Sequence, residues 1–323
     1  MRILVTGGAG FIGSHLCERL IAEGHIVSAI DNFSTGRASN LASLAQSGTF
    51  TLVQGSILDT KTLIPLVNDA DYVFHLAAAV GVFNIVNNPL ASLLTNIRGT
   101  ENILEAAYNS NTPVFLTSSS EVYGKNISDS LRETDDRILG SPVTLRWSYS
   151  EAKAIDESLA YAYFVEKQLE TRIVRFFNTV GPRQLGAYGM VVPRFVKAAL
   201  ANEPITIYGD GNQTRCFAHV YDVVDAVVKV AFSKNTVGKV INIGNDFEIS
   251  INGLATKIID ETRSASEIVY IPYEQAYGEG FEDMERRVPN IDLIKHLVGW
   301  SPQRDLSSMI SDIFCRNEKG FLD

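Results

Sequence analysis

A tyrosine and a lysine near the middle of the chain have the types and the spacing of a proton-transfer pair. Tyr149 and Lys153 lie four residues apart at the start of a helix predicted over 148–166, so they share one helix face. A phenol with a pKa of ~10 is a poor base near neutral pH, and a nearby ammonium group stabilises its phenolate. The pair could take a proton from a hydroxyl group, although a tyrosine and a lysine at this spacing also occur on ordinary solvated helix faces.

A phosphate-binding turn is predicted at the start of the chain. An apolar run over 2–6 is followed by Gly7, Gly10 and Gly13 and then by a helical pattern. Glycine is needed where the backbone turns sharply and where a pyrophosphate approaches the main chain. The free amides and the positive end of the helix then bind the anion.

A carboxylate follows at the spacing expected for a dinucleotide site. A second apolar run ends in Asp31, roughly 20 residues beyond the glycines, where an acid binds the ribose diol. Because this acid repels a 2′-phosphate, the pattern predicts NAD rather than NADP.

Strands and helices alternate through the first half of the chain. The predicted strands cover residues 2–6, 25–30, 50–55, 71–79, 112–117 and 171–178. This order predicts an α/β fold with a parallel, doubly wound sheet of the Rossmann type, in which ligands gather at the carboxyl ends of the strands. The alternation breaks down beyond 181–183. We therefore predict an NAD-binding domain over 1–177 and a smaller C-terminal α/β substrate domain over 178–323, with a segment near 216–243 packing back on the first domain.

The composition narrows the class of partner. The 323 residues carry a net charge of −9 and have no basic run, which argues against nucleic acid or an anionic membrane as the main partner. Cys17, Cys216 and Cys315 are widely spaced and odd in number, as is typical of reduced, mostly buried thiols in a cytoplasmic protein. No signal peptide, membrane span or metal site is predicted.

Taken together, these motifs resemble the extended short-chain dehydrogenase/reductases that act on nucleotide sugars, the NAD-dependent epimerase/dehydratase family. The matching motifs run in order along almost the whole chain: the glycine turn, Asp31, 75–78, 119–124, Tyr149 with Lys153, 177–183, 208–211 and Arg215. The resemblance implies tightly held NAD, a nucleoside diphosphate sugar (UDP-linked in the favoured interpretation), and a homodimer formed through the helices near 91–109 and 148–166.

The resemblance also implies a shared first step, transient oxidation at C4 of the sugar. Tyr149 would take the hydroxyl proton while hydride passes to NAD, with Ser119 or Ser120 hydrogen-bonding the same oxygen and Lys153 reaching the nicotinamide ribose. The resulting 4-keto sugar is epimerised, dehydrated or decarboxylated, depending on the subfamily.

Three residues help to choose among these outcomes. Glu121 follows the serines, as in dehydratases and uronate decarboxylases, whereas Ser120 replaces the aspartate of dTDP-glucose dehydratases. Arg287 matches the arginine of a short element in UDP-glucuronate decarboxylases, and Arg146 resembles an arginine that faces the uronate in related enzymes. A guanidinium fits a carboxylate in a bidentate fork. Either arginine could instead bind the diphosphate or form a surface salt bridge, and Glu121 could be a salt-bridged acid at a strand end.

Two further sets of residues complete the predicted site. The cofactor-binding set comprises Gly7, Gly10, Phe11, Ile12, Gly13, Asp31, Asn32, Ser34, Thr35, Gly36, Ser56, Ile57, Leu76, Ala77, Ala78, Tyr149 and Lys153. Relatives often have an aspartate that contacts adenine in place of Ser56. The substrate-binding set comprises Arg146, Asn178, Val192, Tyr208, Arg215 and Arg287.

The favoured hypothesis is therefore an NAD-dependent enzyme resembling UDP-glucuronate decarboxylase. A UDP-sugar 4-epimerase is the alternative, and a 4,6-dehydratase is the third possibility. A non-catalytic NAD-binding regulator of the same fold belongs to a different class, and it predicts loss of the tyrosine–lysine pair, which this chain retains.

Overall fold

The computed structural model describes residues 1–186, 190–277 and 284–317, with the backbone alone for 82–84 and 315–317. Residues 187–189 and the side chain of Cys315 lie outside this description.

Strands and helices alternate through the first half, as predicted. The elements are β1 (Arg2–Thr6), α1 (Phe11–Ala22), β2 (Ile26–Asp31), a 3-10 helix (Ala38–Leu44), β3 (Phe50–Gln54), α2 (Thr60–Asn68), β4 (Tyr72–His75), α3 (Val82–Asn87), α4 (Pro89–Ser110), β5 (Val114–Ser119), two 3-10 helices (Ser120–Tyr123 and Leu145–Trp147), α5 (Ser148–Lys167) and β6 (Thr171–Phe176). Relative to the prediction, β5 extends two residues further, so that Ser118 and Ser119 belong to the strand itself.

The second half contains shorter strands, six α-helices and a short 3-10 helix (Lys234–Thr236) among its described residues. The elements are β7 (Thr179–Val180), α6 (Val191–Leu200), β8 (Ile205–Tyr208), β9 (Thr214–Cys216), β10 (Ala218–His219), α7 (Val220–Phe232), β11 (Val240–Ile243), β12 (Glu248–Ser250), α8 (Ile251–Thr262), β13 (Ile268–Ile271), α9 (Tyr273–Tyr277), α10 (Asp292–Val298) and α11 (Leu306–Asn317).

Seven strands form one parallel sheet in the order β3-β2-β1-β4-β5-β6-β11. The predicted doubly wound fold is confirmed. The inner strands are buried on both sides, as β4 shows with four consecutive buried residues, because helices cover both faces of a parallel sheet. One apolar cluster joins the sheet to α1, α7 and α10, and a second joins it to α2, α4 and α5.

A third apolar cluster lies in the C-terminal half. It packs α6, α8 and α11 around β8 through side chains such as Phe195, Leu254 and Met309. Full burial of a side chain of this size contributes roughly 1.5–3 kcal/mol. The segment near 216–243 contributes α7 and β11 to the seven-stranded unit, and the domain division at residue 177 stays a prediction.

Crossing a bilayer takes a long apolar helix, and none of the described helices qualifies. Cys17 and Cys216 are buried free thiols. Burial raises the pKa of both, to about 12 for Cys216, so neither is a thiolate at neutral pH.

Candidate active site

A cleft of about 700 Å³ lies along the carboxyl ends of the central strands and continues between them and the C-terminal half. Every predicted site residue lines it except Gly36. The sheet therefore brings together residues from both ends of the sequence, as expected for an open α/β sheet. Their individual roles stay predictions.

The glycine turn has the geometry of a pyrophosphate cradle. Gly7 has a φ of +71°, and a Cβ atom there would lie 2.8 Å from the amide nitrogen of Ala77. A Cβ atom on Gly13 would lie 2.2 Å from the carbonyl oxygen of Gly7. No side chain caps the start of α1, so the first amides of this helix are available to bind an anion in the cleft. These residues fit a dinucleotide.

Asp31 closes the cofactor end of the cleft. Its carboxylate accepts hydrogen bonds from the backbone amides of Ala9 at 2.9 Å and Phe33 at 2.8 Å. Gly36 packs against this carboxylate, because a Cβ atom there would lie 2.9 Å from Oδ2. A carboxylate has about four acceptor positions, so two remain for a ribose diol. Ser56 accepts a hydrogen bond from the amide of Leu58 at 3.2 Å and lines the cleft nearby.

The tyrosine and the lysine face the centre of the cleft from the first turns of α5. The Tyr149 hydroxyl is hydrogen-bonded to Ser119 on β5. Burial raises the pKa of Tyr149, and Lys153 lowers it, while Glu121 and Asp156 raise it further. The lysine thus acts in the predicted direction, but burial outweighs it and the net pKa lies above the usual value for tyrosine.

Lys153 has a charged partner that the sequence analysis missed. Its ammonium is 2% exposed and lies 3.1 Å from Asp156 Oδ2. Burial alone would lower the pKa of Lys153, but Asp156 and Tyr149 outweigh it, so the pKa is raised and the ammonium stays charged. The spacing of three residues on one helix is the sequence signal that could have predicted this ion pair.

Glu121 lies between two arginines that come from distant parts of the chain. Arg146 donates to it from Nη1 at 2.5 Å and from Nη2 at 3.2 Å, and Arg287 Nη2 lies 2.8 Å from Oε1. Arg287 also donates to Ser120 Oγ at 3.4 Å. Both guanidinium groups are nearly buried, and the Glu121 side chain is 15% exposed.

The charges of this cluster do not cancel. Burial would raise the pKa of Glu121, but Arg146 and Arg287 outweigh it and hold the pKa well below its usual range. With Glu121 ionised, these three side chains by themselves carry a surplus of one positive charge, and both arginines also interact with groups outside this cluster. Both arginines contact the carboxylate of Glu121, and the hypothesis that they also face a carboxylate of the sugar stays a prediction.

The remaining predicted substrate residues lie toward the C-terminal half. Asn178 donates to the carbonyl of Cys216 at 3.2 Å, and Val192 is buried at the start of α6. Arg215 donates to the carbonyl of Thr214 at 2.7 Å. Tyr208 is covered by a guanidinium whose carbon lies 4.1 Å from the ring centroid.

That guanidinium belongs to Arg194, one of several cleft residues that the sequence analysis missed. Arg183, Gln184 and Ser92 also line the cleft. Arg194 lies on α6 and Tyr208 ends β8, the next element along the chain, so the stacking depends on how this helix packs against the strand. Among the described residues, no group of three or more His, Cys, Asp and Glu side chains has an arrangement that could hold a metal ion.

The comparison with protein families agrees with this geometry. Residues 3–244 match the model of the NAD dependent epimerase/dehydratase family. The chain belongs to this family. Members of this family are described as NAD-dependent. In this member the glycine turn, Asp31 and the Tyr149–Lys153 pair all line one cleft.

Curated relatives with high identity are decarboxylases. One is UDP-N-acetyl-alpha-D-glucosaminuronate decarboxylase of Bacillus cytotoxicus, 42% identical over 302 residues, which are 93% of this chain and 92% of the relative. Another is UDP-glucuronic acid decarboxylase 1 of Xenopus tropicalis, 37% identical over 93% of this chain and 68% of the relative.

A solved structure of similar fold has a different activity. UDP-glucuronic acid 4-epimerase of Bacillus cereus, in complex with UDP-glucuronic acid and NAD, is 30% identical with a TM-score of 0.89, covering 99% of both chains.

Proposed function

We propose that this protein is an NAD-dependent decarboxylase of UDP-linked hexuronates. The observation that carries the proposal is the position of the Glu121–Arg146–Arg287 cluster, which lines the same cleft as Tyr149 and Lys153. C6 is attached to C5, the ring carbon next to C4. A sugar whose C4 hydroxyl contacts Tyr149 therefore holds its C6 group close to the reacting carbon. The surplus positive charge of the cluster suits a carboxylate at C6.

The chemistry needs one oxidation, one bond cleavage and one reduction. NAD, held by the glycine turn and Asp31, would supply the hydride acceptor for the oxidation at C4 and the hydride donor for the final reduction. Tyr149 accepts the proton of the C4 hydroxyl, and Ser119, which is hydrogen-bonded to Tyr149, orients that hydroxyl. Lys153 holds a positive charge beside the forming phenolate. The ketone at C4 is β to the C6 carboxylate, so the bond between C5 and C6 can break with its electron pair delocalised onto the C4 oxygen as an enolate. C5 then takes up a proton from water, and Tyr149 returns its proton to the C4 oxygen when the ketone is reduced.

Glu121 limits how strongly the arginines hold the substrate. A site that binds the carboxylate tightly stabilises the ground state more than the transition state, in which negative charge moves from C6 toward the C4 oxygen. Because Glu121 contacts both guanidinium groups, part of their positive charge is already neutralised before the substrate binds. The cluster can orient the carboxylate without preventing its loss.

The substrates named for the relatives differ only at C2 of the sugar. UDP-glucuronate carries a hydroxyl group there, and UDP-N-acetylglucosaminuronate carries an acetamido group, while both have the C4 hydroxyl and the C6 carboxylate that the mechanism uses. The 42% identity to the Bacillus cytotoxicus relative favours testing both substrates.

A 4-epimerase acting on a UDP-hexuronate is the second candidate. It is favoured by the structural similarity to the UDP-glucuronic acid 4-epimerase of Bacillus cereus. Both reactions use the same 4-keto intermediate and the same charge complementarity at C6, so they differ in whether the bond between C5 and C6 breaks.

We also propose that the chain forms a homodimer through α4 and α5 and works in the cytoplasm. Large apolar side chains on these two helices are exposed: Leu90, Tyr108, Ile155, Tyr161 and Val165. Such a surface is typical of protein–protein contacts. The buried free thiols suit a reducing compartment. Light scattering on the purified protein measures the mass; a monomer at micromolar concentration would refute the dimer.

The test of the main proposal is incubation with UDP-glucuronate, UDP-N-acetylglucosaminuronate, UDP-glucose and dTDP-glucose, followed by mass spectrometry of the products. Loss of carbon dioxide from a uronate supports decarboxylation. A product of unchanged mass and altered retention indicates epimerisation, and loss of water indicates dehydration.

A further inference from the structure

A fully buried asparagine on β11 joins three separate segments of the chain. The Asn242 side chain accepts a hydrogen bond from the Tyr123 hydroxyl at 2.8 Å. Its amide nitrogen donates to the carbonyl oxygens of Leu131 at 2.9 Å and Asn290 at 3.3 Å. The oxygen and both amide hydrogens therefore have partners, so the orientation of the amide is fixed.

Two of these segments carry the charged groups of the cleft. Tyr123 ends the 3-10 helix that contains Glu121. Asn290 ends the short stretch that begins with Arg287. None of the three hydrogen bonds of the Asn242 side chain goes to Glu121 or Arg287. Two of them go to Tyr123 and Asn290, which lie two and three residues from these charged residues.

Leu131 connects the second segment to the asparagine. Its amide donates to the carbonyl of Val288 at 2.8 Å, and its carbonyl accepts from the amide of Asn290 at 2.8 Å. These two bonds flank Pro289, which packs closely against Gly244, the residue after β11, since a Cβ atom there would lie 3.0 Å from the proline ring. The residue next to Arg287 is thus fixed by Leu131, which Asn242 holds in turn.

The Tyr123 side chain, which donates to Asn242, is also held in place. The guanidinium carbon of Arg175 lies 4.8 Å from the centroid of the Tyr123 ring. Arg175 is itself held by a bidentate ion pair with Glu157, at 2.9 and 2.7 Å. The hydroxyl of Tyr123 therefore meets Asn242 from a rigid position.

We propose that Asn242 is a positioning residue that sets the relative placement of Glu121 and Arg287, and so determines how well the cleft receives the substrate carboxylate. This inference rests on the proposed function of the cluster. Its physical basis is that charge-assisted hydrogen bonds depend steeply on geometry, and a shift of about 1 Å in a supporting residue can cost 10²-fold in rate.

The main test is Asn242→Asp, which preserves the size of the side chain and its acceptor for Tyr123. The oxygen that replaces the amide nitrogen faces the carbonyl oxygens of Leu131 and Asn290. An ionised carboxylate cannot donate hydrogen bonds to them, so both contacts are lost. KM and kcat for the uronate substrate are compared with the inhibition constant of UDP, which lacks both sugar and carboxylate. We expect KM to rise at least tenfold and the UDP inhibition constant to change less than twofold.

A graded variant and a matched control accompany it. Tyr123→Phe removes one of the three hydrogen bonds of Asn242, and we expect a rise in KM smaller than that of Asn242→Asp. Thr236→Val is the control, because Thr236 is fully buried and hydrogen-bonded to Arg172 but lies away from the cleft. It should lower the melting temperature and leave the ratio of KM to the UDP inhibition constant unchanged. Asn242→Ser replaces Asn242→Asp if the latter does not fold.

The outcomes separate the two proposals. If the unmodified protein converts no uronate, the proposed function fails and the positioning role fails with it. If the unmodified protein is active but the Asn242 variant keeps its KM, or if KM and the UDP inhibition constant rise together, only the positioning role is refuted.

Discussion

Replacing Arg287 by alanine removes one of the two cations that hold Glu121. The Arg287 side chain is 5% exposed and lies 2.8 Å from Glu121 Oε1. Without it, Glu121 and Arg146 form a neutral pair, and the surplus positive charge that attracts a substrate carboxylate is lost. We therefore expect the variant to bind the nucleotide but to bind the uronate poorly.

The size of the effect follows from the lost contact. A hydrogen bond to a charged group contributes ~1.5–3 kcal/mol, and 1.4 kcal/mol corresponds to a factor of ten, so KM for the uronate should rise roughly 10- to 100-fold. The stability loss should stay below the ~3–5 kcal/mol that accompanies a broken buried pair, because Glu121 keeps both contacts to Arg146.

The neighbouring Arg286 provides the matched control. Its side chain is 40% exposed and points the other way, to Glu248 at 2.8 Å, and a surface pair of this kind contributes at most about 1 kcal/mol. Initial rates with UDP-glucuronate and titrations with UDP and NAD are measured for Arg287→Ala and Arg286→Ala. Equal losses of uronate and NAD binding in Arg287→Ala, or the same KM change in both variants, would refute the reasoning.

Four further predictions concern single groups. Tyr149→Phe should abolish the oxidation step while leaving NAD binding intact, as absorbance at the reduced-nicotinamide band would show; normal turnover would contradict the role of the tyrosine as base. Lys153→Met removes a cation that lowers the pKa of Tyr149, so the rise of kcat with pH should move to higher pH, and an unmoved profile would contradict this. The depressed pKa of Glu121 means that its contribution to stability is present above the unfolded-state pKa of 4.5 and is lost as pH falls from there toward the lower folded-state pKa. Glu121→Gln should therefore lose less stability than the parent between about pH 5 and about pH 2 in urea unfolding, and an equal loss would contradict the ion pairing. Asp31→Ala should weaken NAD binding and reduce the preference for NAD over NADP in fluorescence titrations, and an unchanged preference would contradict the assignment of the ribose contact.

The sheet and the cofactor end of the cleft could be predicted because their signals are local. The glycine spacing, the apolar runs and Asp31 each act within one βαβ unit, where the steric demands on the backbone leave few alternatives. Strand ends were less certain, as β5 shows by extending to Ser119. Here the boundary depends on pairing with β6, which is distant in the sequence.

The charge cluster could be predicted only in part. The sequence indicated Glu121, Arg146 and Arg287 one by one, but not that both arginines contact Glu121, since Arg287 approaches it from another part of the fold. The raised pKa of Tyr149 also escaped prediction, because burial depends on the packing of the whole cleft. Asn242 gave no sequence signal at all, since its three partners meet only in the folded protein.

The most direct test of the central claim uses UDP-glucuronate labelled with carbon-13 at C6. The labelled sugar is incubated with the purified protein and followed by NMR. We predict that the C6 carboxylate signal is lost in step with the appearance of labelled bicarbonate and a UDP-pentose. Retention of the label in a sugar nucleotide, whether the parent or its C4 epimer, would contradict decarboxylation.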